Sequence, residues 1–216
     1  ESDFVPVGPW NCDGLIVVAP VMHPEGRAYF KELLTQGYPL VMVGSADMGP
    51  GVVADNESGV RQAMMHLIAH GHRRIAFVGC RSAQIETDSD GWLRLQSYLS
   101  CCREFGLVED PALTAFGYHT IEGGHQAMAE ILARGVPFSA VVASNDSSAV
   151  GAIDALREAG LSVPGDVAVI GFDDRLEARA LRPQLTTVHY PIFEVGYQSV
   201  HLLRELIRGE VDRDVT

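Results

Sequence analysis

The sequence predicts an α/β fold with doubly wound parallel sheets, and three observations carry that prediction. Short, continuously apolar runs recur along the chain, amphipathic stretches of helical length separate them, and glycines stand where those helices should stop. A strand that is apolar at every position is buried on both faces, which a parallel sheet flanked by helices provides.

Taken in order, residues 15–18 read as the first buried strand and 26–36 as a helix. Residues 40–43 form a second strand after the turn Gly37-Tyr38-Pro39, and 57–70 a helix ended by Gly71. Residues 75–78 are strand and 92–105 helix, ended by Gly106. Then 113–116 read as strand, 122–134 as helix, 140–143 as strand and 147–159 as helix, ended by Gly160. Residues 167–170 make the next strand and 193–208 the final helix, ended by Gly209.

Composition narrows the class. At 216 residues and 47% apolar the chain buries a substantial core, as one large domain or two lobes of about 100 residues each. A formal net charge of −12 leaves no basic patch for phosphates, and only His72-Arg73-Arg74 is locally basic. Any contact with DNA must come from a segment outside these residues. Cys12, Cys80, Cys101 and Cys102 have no C-x-x-C spacing and read as reduced thiols of a cytoplasmic protein. No run of 18 apolar residues and no basic start at Glu1-Ser2-Asp3 predicts a membrane anchor or export signal.

In doubly wound sheets ligands bind beyond the carboxyl ends of the strands. Two such ends stand out. Ala143-Ser144-Asn145-Asp146-Ser147 joins a strand to a helix, so Asn145 and Asp146 either cap the helix or reach the hydroxyls of a ligand. Gly171-Phe172-Asp173-Asp174 ends the next strand with two carboxylates, open to readings as acid/base catalysts, metal ligands, hydroxyl acceptors or plain turn residues. His66 and His70, four apart on a helix and followed by His72, hint at a metal site, but Gly71 breaks the helix between them, and no metal or cofactor is expected. No nucleophile elbow, Walker loop or dinucleotide fingerprint appears, and an Asp146–Asp173 glycosidase pair lacks a general acid in an apolar pocket, so no enzyme is expected.

The linear order of motifs resembles the lac repressor family. Val53-Ala54-Asp55-Asn56-Glu57-Ser58-Gly59 is followed by His66-Leu67-Ile68 and Gly71-His72-Arg73-Arg74-Ile75-Ala76-Phe77. Arg94 with Tyr98, Asn145-Asp146 with Ala149 and Gly151, and Val163-Pro164-Gly165-Asp166-Val167 before Gly171-Phe172-Asp173-Asp174 come next. Pro183-Gln184-Leu185-Thr186-Thr187-Val188 and Gly196 complete a collinear match over roughly residues 13 to 209.

That resemblance implies a two-lobed, periplasmic-binding-protein-like fold whose lobes close over a small sugar-like or purine-like effector, and a homodimer whose DNA contacts come from a separate helix-turn-helix segment. It implies that Arg94 reads ligand hydroxyls with its forked donors, and that Asn145 and Asp173 are polar contacts from neighbouring strand ends, with Asp146 beside them. His119 falls where relatives stack an aromatic ring on the ligand, with Tyr118 able to supply the ring instead. Tyr190 lies where the chain crosses back to the first lobe. The sequence departs from the family at Ser97, where glycine is usual, and at Gly44, where some sugar-binding relatives carry a carboxylate and Asp47 stands three residues on.

The implied lobes are 1–54 with about 190–209, and 55–189, with 210–216 starting a return segment. The family's first lobe opens with about 55 to 60 further residues, so the first lobe here is expected to be partial and to expose apolar sheet faces. The fold leaves two rival outputs: the sensory input of a histidine kinase or diguanylate cyclase, and a periplasmic sugar-binding receptor.

Overall fold

The computed structural model describes residues 7–18, 24–44, 48–80 and 90–211; Asp47 and all but the first two residues of the expected return segment lie outside them. The chain begins with β1 (Leu15–Val18), α1 (Pro24–Thr35), β2 (Leu40–Val43) and β3 (Gly51–Val52). It continues with α2 (Asn56–Ala69), β4 (Ile75–Cys80), α3 (Asp90–Glu104), β5 (Thr114–Gly117), α4 (Ile121–Ala133) and β6 (Ala140–Ala143). Then come α5 (Asp146–Glu158), β7 (Ala168–Asp173), α6 (Leu176–Ala180), β8 (Thr186–His189) and α7 (Ile192–Arg208).

The chain divides into two compact units. The first holds the described residues up to Ala54, Asp90, and those from Pro191 on; the second holds the rest, from Asp55 to Tyr190. In the first unit β1, β2 and β3 form a parallel sheet in that order, with Leu15 opposite Leu40 and Met42 opposite Gly51. Leu33, Tyr38, Leu40 and Met42 are its core. α7 buries Val195, Ser199 and Leu206, and Gly14 lets it close in, since a Cβ there would stand 2.8 Å from Leu203. Of the sheet, Ile16 and Val18 on β1 are exposed, as expected, and Phe193, Tyr197 and Val200 on α7 are exposed as well.

The second unit is a five-stranded, wholly parallel sheet in the order β5-β4-β6-β7-β8. Its strands show why the apolar runs are continuous. On β4, Ala76 and Val78 join the core on one face while Ile75 and Phe77 join the core on the other. On β6, Val141 and Ala143 divide from Ala140 and Val142 in the same way. Successive side chains of a strand point to opposite faces, so two buried faces demand an apolar residue at every position.

Three elements escape the sequence reading. β3 has two residues and α6 five, too few to show a period. β8 is the edge strand Thr186-Thr187-Val188-His189, half-exposed and without an apolar run. Pairing with it carries β7 three residues past its predicted end, to Asp173, which stands opposite His189. Leu113, expected in a strand, instead closes a 3-10 turn that Asp110 caps and Pro111 begins.

Helices α4 and α5 touch backbone to backbone. A Cβ on Gly124 would collide with the Ser148 main chain, and one on Gly151 with the Ile121 carbonyl oxygen. Gly196, by contrast, sits exposed in α7 with nothing near it. Gly151→Ala should therefore cost about 2 kcal/mol by forcing the helices apart. Gly196→Ala should stabilise by about 0.5 kcal/mol through helix propensity and a less free unfolded chain. Urea titrations of the two variants beside the parent measure both, and equal effects would refute the packing account.

Candidate functional site

The carboxyl ends of the strands in the second unit gather the polar side chains. Arg94, on the first turns of α3, is the centre of the group and is only 3% exposed. Its Nε donates to Asn56 Oδ1 at 2.8 Å, and its Nη1 to the Ser144 carbonyl at 2.6 Å and to Asp173 Oδ1 at 3.3 Å. Its guanidinium carbon lies 3.7 Å from the centroid of the Phe172 ring. Three helix and strand ends thus converge on one cation: α2 through Asn56, β6 through Ser144, and β7 through Phe172 and Asp173.

Local structure explains each placement. Asp55 caps α2 by accepting from the Ser58 amide at 2.9 Å, so Asn56, in the first turn, is not needed for capping. It is buried and turns its oxygen to Arg94. Asn145 caps α5, accepting from Ser148 N at 2.9 Å, and its amide nitrogen donates to the His119 carbonyl at 3.2 Å. It therefore ties the β5 and β6 ends together. His119 and Tyr118 are exposed just beyond β5, and His119 has φ +22°. Tyr190 follows β8; its amide donates to the Asp173 carbonyl at 3.4 Å and its ring packs on the Phe77–Tyr98 side of the core.

Three aspartates at these ends meet three environments. Asp146 is fully buried, and its carboxylate accepts from the Arg175 amide at 2.7 Å and the Thr187 hydroxyl at 2.5 Å. It brackets β8 and the chain after β7 onto α5 and presents no surface. Burial raises its pKa, against those two hydrogen bonds. Asp174 turns outward into a bidentate pair with Arg179, at 2.6 and 3.0 Å, and accepts from His189 Nδ1 at 3.0 Å. Those bonds hold its carboxyl down at about 2. Asp173 lies between, partly exposed, its carboxyl pushed up to about 6 by desolvation, with Arg94 opposing and Asp146 adding to the rise.

Asp173 and Asp174 have φ +114° and +57°, values that L side chains rarely adopt. Backbone held in that region costs on the order of 1–3 kcal/mol and persists where surrounding contacts over-determine it. Here the Arg94 and Arg179 contacts do so.

Of the residues expected from sequence, Arg94 and Asp173 are brought into contact, and Asn145, His119 and Tyr190 are bonded around them. Tyr118 is exposed next to His119, and Asp146 lies beneath, inside the scaffold. Sequence reasoning passed over Asn56, Phe172, Thr187 and Arg175. The signal for Asn56 was legible, since the residue after a capping Asp has no cap to make; Phe172 and Thr187 lie in motifs and Arg175 just beyond one, but none reveals its partners. Among the described residues no group of three or more His, Cys, Asp or Glu could hold a metal, and no helix is long and apolar enough to cross a membrane. The His66 and His70 rings lie in contact, tilted by 41° with centroids 4.4 Å apart, and His72 instead bonds Ser139.

The second unit is a doubly wound α/β domain with a buried, forked cation and a carboxylate acceptor at the carboxyl ends of its parallel sheet. Comparison with known proteins agrees. Residues 64–215 match the periplasmic binding protein-like domain. The HTH-type transcriptional regulator GalR of Escherichia coli is 42% identical over 151 residues, 70% of this chain and 43% of that protein. The HTH-type transcriptional regulator CelR of Thermobifida fusca is 37% identical over 161 residues, 74% of this chain and 46% of that protein. The structure of a CelR–cellobiose complex superposes with a TM-score of 0.84 at 32% identity, covering 94% of this chain and 62% of that one. The chain belongs to the periplasmic binding protein-like domain family, as it occurs in lac repressor family regulators, in keeping with the resemblance carried by its motifs. It spans less than half the length of the curated relatives it matches.

A raised carboxyl has a definite signature. Between its ordinary value near 3.8 and about 6, the folded Asp173 holds a proton that the unfolded chain has released. Stability therefore falls as pH rises through that window. Asp173→Asn removes this component, so its melting temperature relative to the parent should climb from pH 4 to pH 7. Thermal melts at the two pH values measure it, and a difference that stays flat contradicts the assignment.

Proposed function

We propose that this chain is the effector-binding and dimerisation core of a bacterial transcriptional regulator, in which a small sugar-like ligand controls DNA binding by a separate helix-turn-helix segment. The observation that carries the reading is the Arg94–Asp173 pair: a fork of donors held rigid from behind, beside a carboxylate at the mouth of the strand ends. A sugar offers adjacent hydroxyls that both donate and accept, which such a pair matches in both directions. Arg94 donates to ligand oxygens, Asp173 accepts from hydroxyls, and His119 or Tyr118 covers a ring face. Asn145 and Asp146 position these groups, Asn145 through its tie to the His119 carbonyl and Asp146 through its hold on Arg175 and Thr187.

Relatives support this assignment in kind. One is solved with cellobiose, and the curated relatives bear helix-turn-helix regulator names. A homodimer and a cytoplasmic location complete the proposal, as a DNA-controlling regulator requires both access to DNA and paired reading heads. Neither catalysis nor a cofactor enters it.

The test is a thermal-stability screen against monosaccharides, disaccharides, polyols, purines and nucleosides. A ligand at 100 times its Kd should stabilise the fold by about 2.7 kcal/mol. Arg94→Lys keeps the charge but not the fork and should weaken a sugar hit by about tenfold or more, as should Asp173→Asn. Asn56→Ala, which touches no ligand, should weaken it less, by releasing Arg94. A purine hit in place of a sugar moves the effector class, and no response to any compound overturns the reading.

A further inference from the structure

The second unit has a cavity that the strand-end site does not use. It lies at the amino ends of β7 and β8, and holds about 290 Å³. β7 runs between the two places: Val169 and Ile170 border the cavity, while Asp173 serves the other end. At about 3.3 Å per residue the separation along β7 is roughly 10–15 Å.

Its chemistry is uneven. The floor is apolar, from the buried Val169, Ile170 and Leu185, and the flat rings of Pro164 and Pro183 add to it. The polar side carries Arg157, from the last turn of α5, and the three imidazoles of His66, His70 and His72. No Asp or Glu is among the lining residues, in a chain with 28 acidic residues against 16 Lys and Arg. Asp154 pairs with Arg157 at 3.6 Å from outside the lining, with both side chains about half exposed, and a pair so wet holds its partners weakly. His66 and His70, in contact with their rings tilted by 41°, offer an aromatic wall. Burial and the two neighbouring imidazoles lower the pKa of His72, a conflict that a bound negative charge relieves.

We propose that this cavity is a second ligand site, for a planar aromatic carboxylate. The ring lies on the proline and aliphatic floor against the imidazoles, and the carboxylate meets Arg157. Basic residues in the last turn of a helix also answer the negative end of its own dipole. That role accounts for a basic residue in the last turn of a helix; it does not account for Arg157 and three imidazoles lining one apolar hollow with no acid among them. The site rests on none of the residues assigned to the sugar-like effector, so its success or failure is separate from that reading.

The probe is 2-naphthoate, titrated into the full chain by calorimetry, with 2-naphthamide as its uncharged counterpart. Saturable binding with a Kd on the order of 1 mM or tighter is expected. The amide should bind about tenfold more weakly, and so should naphthoate to Arg157→Gln, the value of one charge-assisted contact; Arg157→Lys should recover part of the loss. Arg157 is exposed, so the variant folds, which circular dichroism checks. Imidazole proton spectra locate the ligand: the His66 and His70 resonances should move and that of His119, at the other end, should not. Equal affinity for amide and acid, an unchanged Kd in Arg157→Gln, a moving His119 with a still His70, or no saturable binding each overturns the proposal.

Discussion

A guanidinium taken out of water is stable only if its donors and its charge are met, because an uncompensated buried charge costs several kcal/mol. Arg94 imposes that constraint on the second unit. Its donors reach a side-chain amide, a main-chain carbonyl and a carboxylate, and its flat face rests on Phe172. The partners come from three elements besides its own, so α2, α3, β6 and β7 must be in register before the cation is satisfied. The burial of one long side chain thereby fixes the relative positions of four elements at the carboxyl end of the sheet, where the ligand site is proposed. Preorganisation of this kind lowers the ordering cost of binding.

The aspartates show how environment divides one residue type into separate tasks. Asp146 is fully buried and answered by a main-chain amide and a hydroxyl, so it secures β8 to α5. Asp174 is answered by Arg179 and His189 on the outside, and holds the turn after β7. Asp173, between them, is desolvated, faces one shared cation and keeps part of its carboxyl exposed. Of the three it is the one with a raised carboxyl that is still partly exposed, which is what the proposed contact with a ligand requires. The unfavourable φ of Asp173 and Asp174 belongs to the same economy, since strain is tolerated where strong contacts pin the chain.

Much of this was legible in advance, and the reasons are particular. β2 and β6 were read to the residue because four consecutive apolar residues between turn signals leave little choice. Helix ends were read within a few residues because Gly71, Gly106, Gly160 and Gly209 all take positive φ, the conformation that stops a helix. β8 was not legible, because an edge strand with one face in water needs no apolar run. Nor was the end of β7, since Gly171-Phe172-Asp173 reads as a turn until β8 is there to pair with it. At the candidate site, motifs named Arg94, Asn145 and Asp173, which the fold gathers at neighbouring strand ends, while Asn56 and Phe172 were passed over, because what marks them is a partner distant in the chain.

The amino-acid sequence by itself determined the alternation of strands and helices, the parallel sheet, the family, and the strand ends where polar residues collect. These follow from short-range periodicity and from motifs in fixed order, both of which survive in one dimension. Only the tertiary structure decided which of Asp146, Asp173 and Asp174 is sealed in, which is paired outside and which stays partly exposed beside Arg94. It alone decided that Arg94 is buried, and that Arg157 gathers with three histidines around an apolar hollow. Those outcomes depend on desolvation and on contacts between residues dozens of positions apart, and neither exists until the chain has closed on itself.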